Sequence, residues 1–263
     1  MVHAIKPTFT TTPMKKYSLL LALFSLISLM ACKEEDDVPS TDFTVTFKAN
    51  YDGEILEKNK DYIFGTYPIF FESSRMYVSD IRLVSAEREV ILSDIEYLDF
   101  TPENAVSATP SITFKNVPEG DYTSIKIGYG VKPQLNARRP SDFPAGSPLA
   151  IEIDYWAGWK SYIFSVLDGK ADPDNDGSKN LSFSYHCGSD AVYRVFEFNV
   201  PIKVKAGAFT TASVTFDMKE FLTNDDGTLY DMVANPATSN DAGNVVVASA
   251  LTAHWGRATT VSQ

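Results

Sequence analysis

A mainly β chain, forming a single antiparallel β-sandwich or barrel-like domain with a short C-terminal helix, is what this sequence predicts. Three observations carry that prediction. Short runs alternate large apolar residues with threonine, serine or charged residues, the period of two that a half-buried strand requires. Turn-forming clusters of Gly, Pro, Asp and Asn punctuate those runs. Helical spacing of apolar residues is confined to the last part of the chain.

Taken in order, Phe43-Thr-Val-Thr-Phe47 is the clearest alternating strand. Met76–Val84 follows with a looser alternation, then Ser111–Lys115, a Pro-Glu-Gly-Asp turn at 118–121, and Tyr122–Tyr129. Residues 131–148, with four prolines among polar and basic residues, read as a long loop. Further strands are expected at Leu149–Asp154, Tyr162–Leu167, Leu181–His186, Tyr193–Val200 and Thr210–Asp217. Asp168-Gly169 and Ala206-Gly207 mark turns between them. Asp217–Leu222 has the length of one helical turn. Val247, Leu251 and Trp255 lie on one stripe of a short helix over 245–256.

The start of the chain speaks to location. Lys15 and Lys16 precede a largely apolar run from Tyr17 to Met30, closed by Ala31-Cys32. This is the order of a secretory signal, with Met14 as its start, and Cys32 resembles the lipidated cysteine of a bacterial lipobox. The run is shorter than the roughly 20 residues of a membrane-spanning helix. Residues 1–31 are therefore expected to be a signal peptide and 32–42 an acidic tether. Residues 43–263 are expected to be the β domain. Lys33 and the four acids Glu34, Glu35, Asp36 and Asp37 resemble the surface-export signal of Bacteroidota lipoproteins; a charged run also makes a solvated tether. The expected location is the outer membrane, held by a lipid anchor and facing the exterior.

Charge excludes one class of partner. The chain has 23 basic and 34 acidic side chains, and only Lys6, Lys15 and Lys16 of these precede Cys32. The remainder is thus more acidic than the whole, and such a surface repels nucleic acid. If Cys32 is acylated, Cys187 has no intramolecular disulfide partner. It is then either a small buried hydrophobe or a free thiol.

Four segments in the same order carry a family resemblance. They are Met76-Tyr77-Val78-Ser79-Asp80-Ile81-Arg82-Leu83; then Gly120-Asp121-Tyr122 with Ile125, Ile127, Gly128, Gly130 and Asn136; then Tyr155-Trp156-Ala157-Gly158-Trp159 running through an aromatic strand to Asp168-Gly169; and Phe183-Ser184-Tyr185-His186-Cys187-Gly188. Together they resemble the MbnP-like, methanobactin-associated copper-protein family over about residues 43–255. The resemblance implies an extracytoplasmic β domain that binds copper. One ligand type it implies is histidine; another is a tryptophan oxidised to kynurenine by a di-haem peroxidase-like partner.

On that resemblance His186 is the leading metal-ligand candidate, since imidazole is a good copper donor. A histidine held by a structural hydrogen bond is the alternative. Cys187 is adjacent, but successive side chains of a strand face opposite ways. Trp156 or Trp159 is the candidate for oxidation, and a turn at Ala157-Gly158 would bring the two together; core packing is the other role open to them. The sequence departs from the family at two points. The tryptophans are separated by two residues instead of one, and Ala49 stands where copper-binding relatives often carry histidine. His254 has no spacing that ties it to a site.

A separate cation candidate is Asp172, Asp174 and Asp176 before Gly177, which resembles the first half of a calcium loop. Its twelfth position is Phe183 instead of a glutamate, and a hydrophilic hairpin tip has the same composition. No nucleophile elbow, zinc-protease helix or phosphate loop occurs, so no catalytic residue is assigned and the chain is not expected to be an enzyme. Copper binding or acquisition is the first functional expectation. A surface module for adhesion or ligand binding without metal is the second.

Overall fold

The computed structural model describes residues 38–238 and 245–263. The expected leader, Cys32 and the expected tether up to residue 37 lie outside the described residues. The strands run, in chain order, β1 (Ser40–Tyr51), β2 (Glu54–Ile55), β3 (Tyr62–Phe64), β4 (Tyr67–Val84) and β5 (Glu89–Asp99). Next come β6 (Ser111–Pro118), β7 (Gly120–Tyr122), β8 (Ser124–Tyr129), β9 (Tyr155–Trp156) and β10 (Ser161–Ala171). β11 (Leu181–Gly188), β12 (Arg194–Phe198), β13 (Ile202–Val204), β14 (Thr210–Asp217) and β15 (Thr259–Ser262) complete the set. About half of the chain, 49%, is strand, and the sheet forms a half-barrel. From Pro39 onward the chain is one compact unit.

Two sheets enclose the core. In the smaller, β1 is flanked by β14 on one edge and by β6 and then β2 on the other, with β15 outside β14. Phe43, Val45 and Phe47 are fully buried on the inner face of β1, while the intervening threonines are not. Each such burial contributes roughly 1.5–3 kcal/mol. β1 pairs with β14 in parallel, Phe43 beside Thr210 through Asn50 beside Asp217. That departs from the expected all-antiparallel pattern. The larger sheet lies between these two strands in sequence, and a parallel neighbour needs such a long crossover.

The larger sheet is organised by the 18 residues of β4. One edge of β4 carries β10 and then β8; the other carries β3 and β5. β11 closes the far side of β10, and β12 that of β8. The rim is completed by α1 (Pro133–Asn136), α2 (Met218–Phe221), α3 (Val246–Ala253) and α4 (Trp255–Ala258). The Asp217 side chain caps α2 by accepting from the Lys219 and Glu220 amides. The expected C-terminal helix is present as α3 and α4, and its Trp255 stacks on Phe221 at 4.2 Å.

Three local expectations are corrected. Leu149–Asp154 is not a strand: Pro148–Ala150 forms a 3-10 turn capped by the Ser147 hydroxyl, and the chain stays irregular up to Tyr155. Asp168-Gly169 is not a turn but lies inside β10, at a register shift against β4. Its glycine is needed for close approach, because a Cβ at 169 would sit 2.1 Å from the Phe70 carbonyl oxygen and 2.4 Å from the Phe183 ring. The first strand also starts earlier than residue 43, since β1 begins at Ser40.

That contact predicts a pair of outcomes in urea denaturation. Gly169→Ala should lose about 1–3 kcal/mol by overpacking. Gly158→Ala, where a Cβ meets nothing within 4 Å, should stay within about 0.5 kcal/mol of the parent.

Candidate metal centre on the outer face of β10 and β11

The β11 pleat sorts its side chains cleanly. Phe183, Tyr185 and Cys187 point into the core, at 1% exposure or less, while Ser184 and His186 lie on the other face. Cys187 is therefore not a co-ligand of His186. Burial pushes its thiol up to about 12, opposed by a hydrogen bond with Ser165, so it stays a neutral hydrophobe at physiological pH.

Across the ladder, Asp168 of β10 sits opposite Ser184. His186 Nε2 lies 2.9 Å from Asp168 Oδ1 and 3.1 Å from Oδ2, and Ser184 Oγ donates to Oδ1 at 2.7 Å. Burial raises the Asp168 carboxyl. The hydrogen bond and charge of His186, the Ser184 hydroxyl and the charge of Arg75 outweigh that and hold it below its usual range. The backbone of His186 is fixed from outside by Thr238, whose hydroxyl accepts from the His186 amide and donates to its carbonyl.

The tryptophans arrive on a hairpin. β9 pairs with the start of β10, Trp156 opposite Ser161, and the Trp159 amide donates to the Trp156 carbonyl at 3.1 Å. The turn at Ala157-Gly158 brings the two indoles edge to face at 4.3 Å. Trp156 also reaches the imidazole, ring centre to ring centre 6.1 Å from His186. The structure thus gathers Trp156, Trp159, His186 and Asp168 in one place.

What aims the hairpin is a buried charge. Asp154, 1% exposed, accepts from Arg75 Nε and Nη2 at 2.9–3.1 Å and from the Tyr97 hydroxyl at 2.8 Å. Its carbonyl accepts from the Ile163 amide at 2.7 Å. Arg75 Nη1 also donates to Ser73, the residue opposite Asp168 in the β4–β10 ladder. Sequence reasoning assigned no role to Arg75, Asp154 or Ser184, and read Asp168 only as turn and motif. Arg75 and Asp154 are 79 positions apart, and no spacing announces such a pair.

The remaining candidates lie elsewhere. Ala49 is buried on β1, in the smaller sheet. His254 is buried, with Nδ1 donating to the Phe221 carbonyl at 2.8 Å. Among the described residues, the group of three or more His, Cys, Asp or Glu side chains that converges is Asp172, Asp174 and Asp176, with ligand atoms within 4.8 Å of one another. Asp172 is nevertheless committed to the Asp176 and Gly177 amides, and Phe183 is a core residue.

Two predictions follow from the charges. Arg75→Met should cost about 3–5 kcal/mol, because it leaves Asp154 buried without its partner; urea denaturation measures it. Asp168 has a depressed folded-state pKa, so its stabilisation is present above the ordinary carboxylate pKa and lost as pH falls through the lower folded value. The stability gap between wild type and Asp168→Ala should be full at neutral pH and narrow once the medium is more acidic than the ordinary carboxylate range.

No curated protein matches the chain. The solved structure of MbnP from Methylosinus trichosporium is similar in fold, with a TM-score of 0.55 at 14% identity, over 86% of this chain and 99% of that one. The MbnP family model matches residues 40–241. With more than half of its length matched by that model, the chain belongs to the MbnP family.

Proposed function

We propose that this chain is a non-catalytic copper-binding member of its family, anchored to the outer membrane through Cys32, with its metal centre built on His186. The observation that carries the reading is the convergence of the His186 imidazole, the Asp168 carboxylate and the Trp156 indole on one sheet face. These residues fit copper through the His186 imidazole, a donor that suits copper well, with the Asp168 carboxylate beside the ring supplying negative charge. The soft thiol of Cys187 is shut inside the core. An indole is a poor ligand as it stands. Oxidative opening to kynurenine, which the family resemblance assigns to a di-haem peroxidase-like partner, exposes an aromatic amine nitrogen. Trp156 is placed for this role, its ring centre lying 6.1 Å from that of the imidazole, with Trp159 packed beside it. The bound metal would supply a redox-active ion for storage or delivery, and the protein's part is to hold and orient the donors.

The full chain, matured with its leader in a lipoprotein-processing bacterial host, tests this. Copper should be retained after dialysis and largely lost in His186→Ala, and the tryptic peptide carrying Trp156 should show the kynurenine mass. Copper retention by His186→Ala equal to wild type would remove the site and leave a surface ligand-binding module without metal. The mass of the mature N-terminal peptide reads the anchor independently: acylated Cys32 supports it, and a free cysteine overturns it.

A further inference from the structure

We infer that Asp168 is the positioning residue of this site: it locks His186 in the tautomer protonated at Nε2 and leaves Nδ1 as the nitrogen that faces a metal. This deepens the copper reading and rests on it for the identity of the metal. The argument starts from donor counting. An ionised carboxylate can only accept hydrogen bonds, so the contacts at 2.9 and 3.1 Å require the proton to be on Nε2. A neutral imidazole has one N–H, and its other nitrogen then carries the lone pair.

Asp168 is poorly disposed to be a ligand itself. Oδ1 already takes the Ser184 hydroxyl and the imidazole, and Oδ2 shares the imidazole. Binding a metal there would break contacts that hold both neighbours. Keeping the Nε2 contact and ligating through Nδ1 breaks none of them. Carboxylate to imidazole to metal is a common relay, in which the outer partner fixes ring orientation and raises ligand basicity. The surroundings of Asp168 suit an outer partner: Ser184 opposite it on β11, and Arg75, whose guanidinium also engages Ser73 on β4. The backbone from which His186 projects is fixed by Thr238 at its amide and its carbonyl, and the ring itself is held by the Asp168 carboxylate.

The test has a metal-free arm and a metal arm. Histidine nitrogen NMR on the metal-free chain, at a pH where imidazole is neutral, should show His186 as the Nε2–H tautomer. His254, which donates from Nδ1 to Phe221, provides the opposite tautomer in the same spectrum. Asp168→Ala should give a mixed tautomer and weaken copper(II) binding about 10–100-fold. Asp168→Asn keeps an accepting oxygen and should restore both the tautomer and the affinity to within a few-fold. Equal loss in the two variants would make Asp168 an anionic ligand and overturn the inference, as would an Nδ1–H signal for wild-type His186. The tautomer arm needs no metal. A chain that takes up no copper therefore sinks the proposed function, while the Nε2–H signal and its loss in Asp168→Ala would still uphold the positioning role.

Discussion

Side-chain alternation along the paired strands β10 and β11 is the constraint on which the site depends. Because each step along a strand reverses the face, His186 can share a surface with Ser184 and Asp168 only if Cys187 and Tyr185 are given to the core. A slip of one residue would exchange the two sets and place an imidazole among aromatic rings. The register is pinned from both sides. Gly169 lets the Phe183 ring and the β4 backbone come close, and the bulge beside it absorbs the mismatch with β4. The His186–Asp168 pair is thus a consequence of core packing on the opposite face of the same sheet.

A second layer of control is electrostatic. The Trp156–Trp159 hairpin leaves the body of the sheet, and a two-stranded ribbon has little stability by itself. Arg75 and Tyr97 hold Asp154 at its base, and the Asp154 carbonyl ties back to β10. A buried ion pair of this kind adds little net stability over a well-packed apolar pair, yet breaking one partner is costly. Its value here is geometric: it fixes where the strand pair begins and so where the indoles lie relative to His186.

Much of the fold was legible because it obeys simple periodicity. β1, β6, β10, β11, β12 and β14 all alternate or sit between turn residues, and the C-terminal helix shows its stripe in Val247, Leu251 and Trp255. The failures are equally physical. β5 was not anticipated because Val90, Ile91 and Leu92 run together before Ser93 and Asp94, and the strand is half-covered on both faces instead of buried on one. Leu149–Asp154 looks like a strand by composition. Pro148 and the Ser147 cap turn it into an irregular connection, in which Leu149 is buried and Ile153 is exposed.

Sequence alone determined the β architecture and the opposition of His186 and Cys187 along a strand, since each follows from local rules spanning a few residues. The tertiary structure decided that Asp168 meets His186, that Arg75 and Asp154 anchor the hairpin, and that β1 and β14 lie in parallel. Those contacts join positions 18, 79 and 167 apart. They exist only because distant strands share a sheet and because charge withdrawn from water must find a partner; neither condition leaves a periodic mark in the chain.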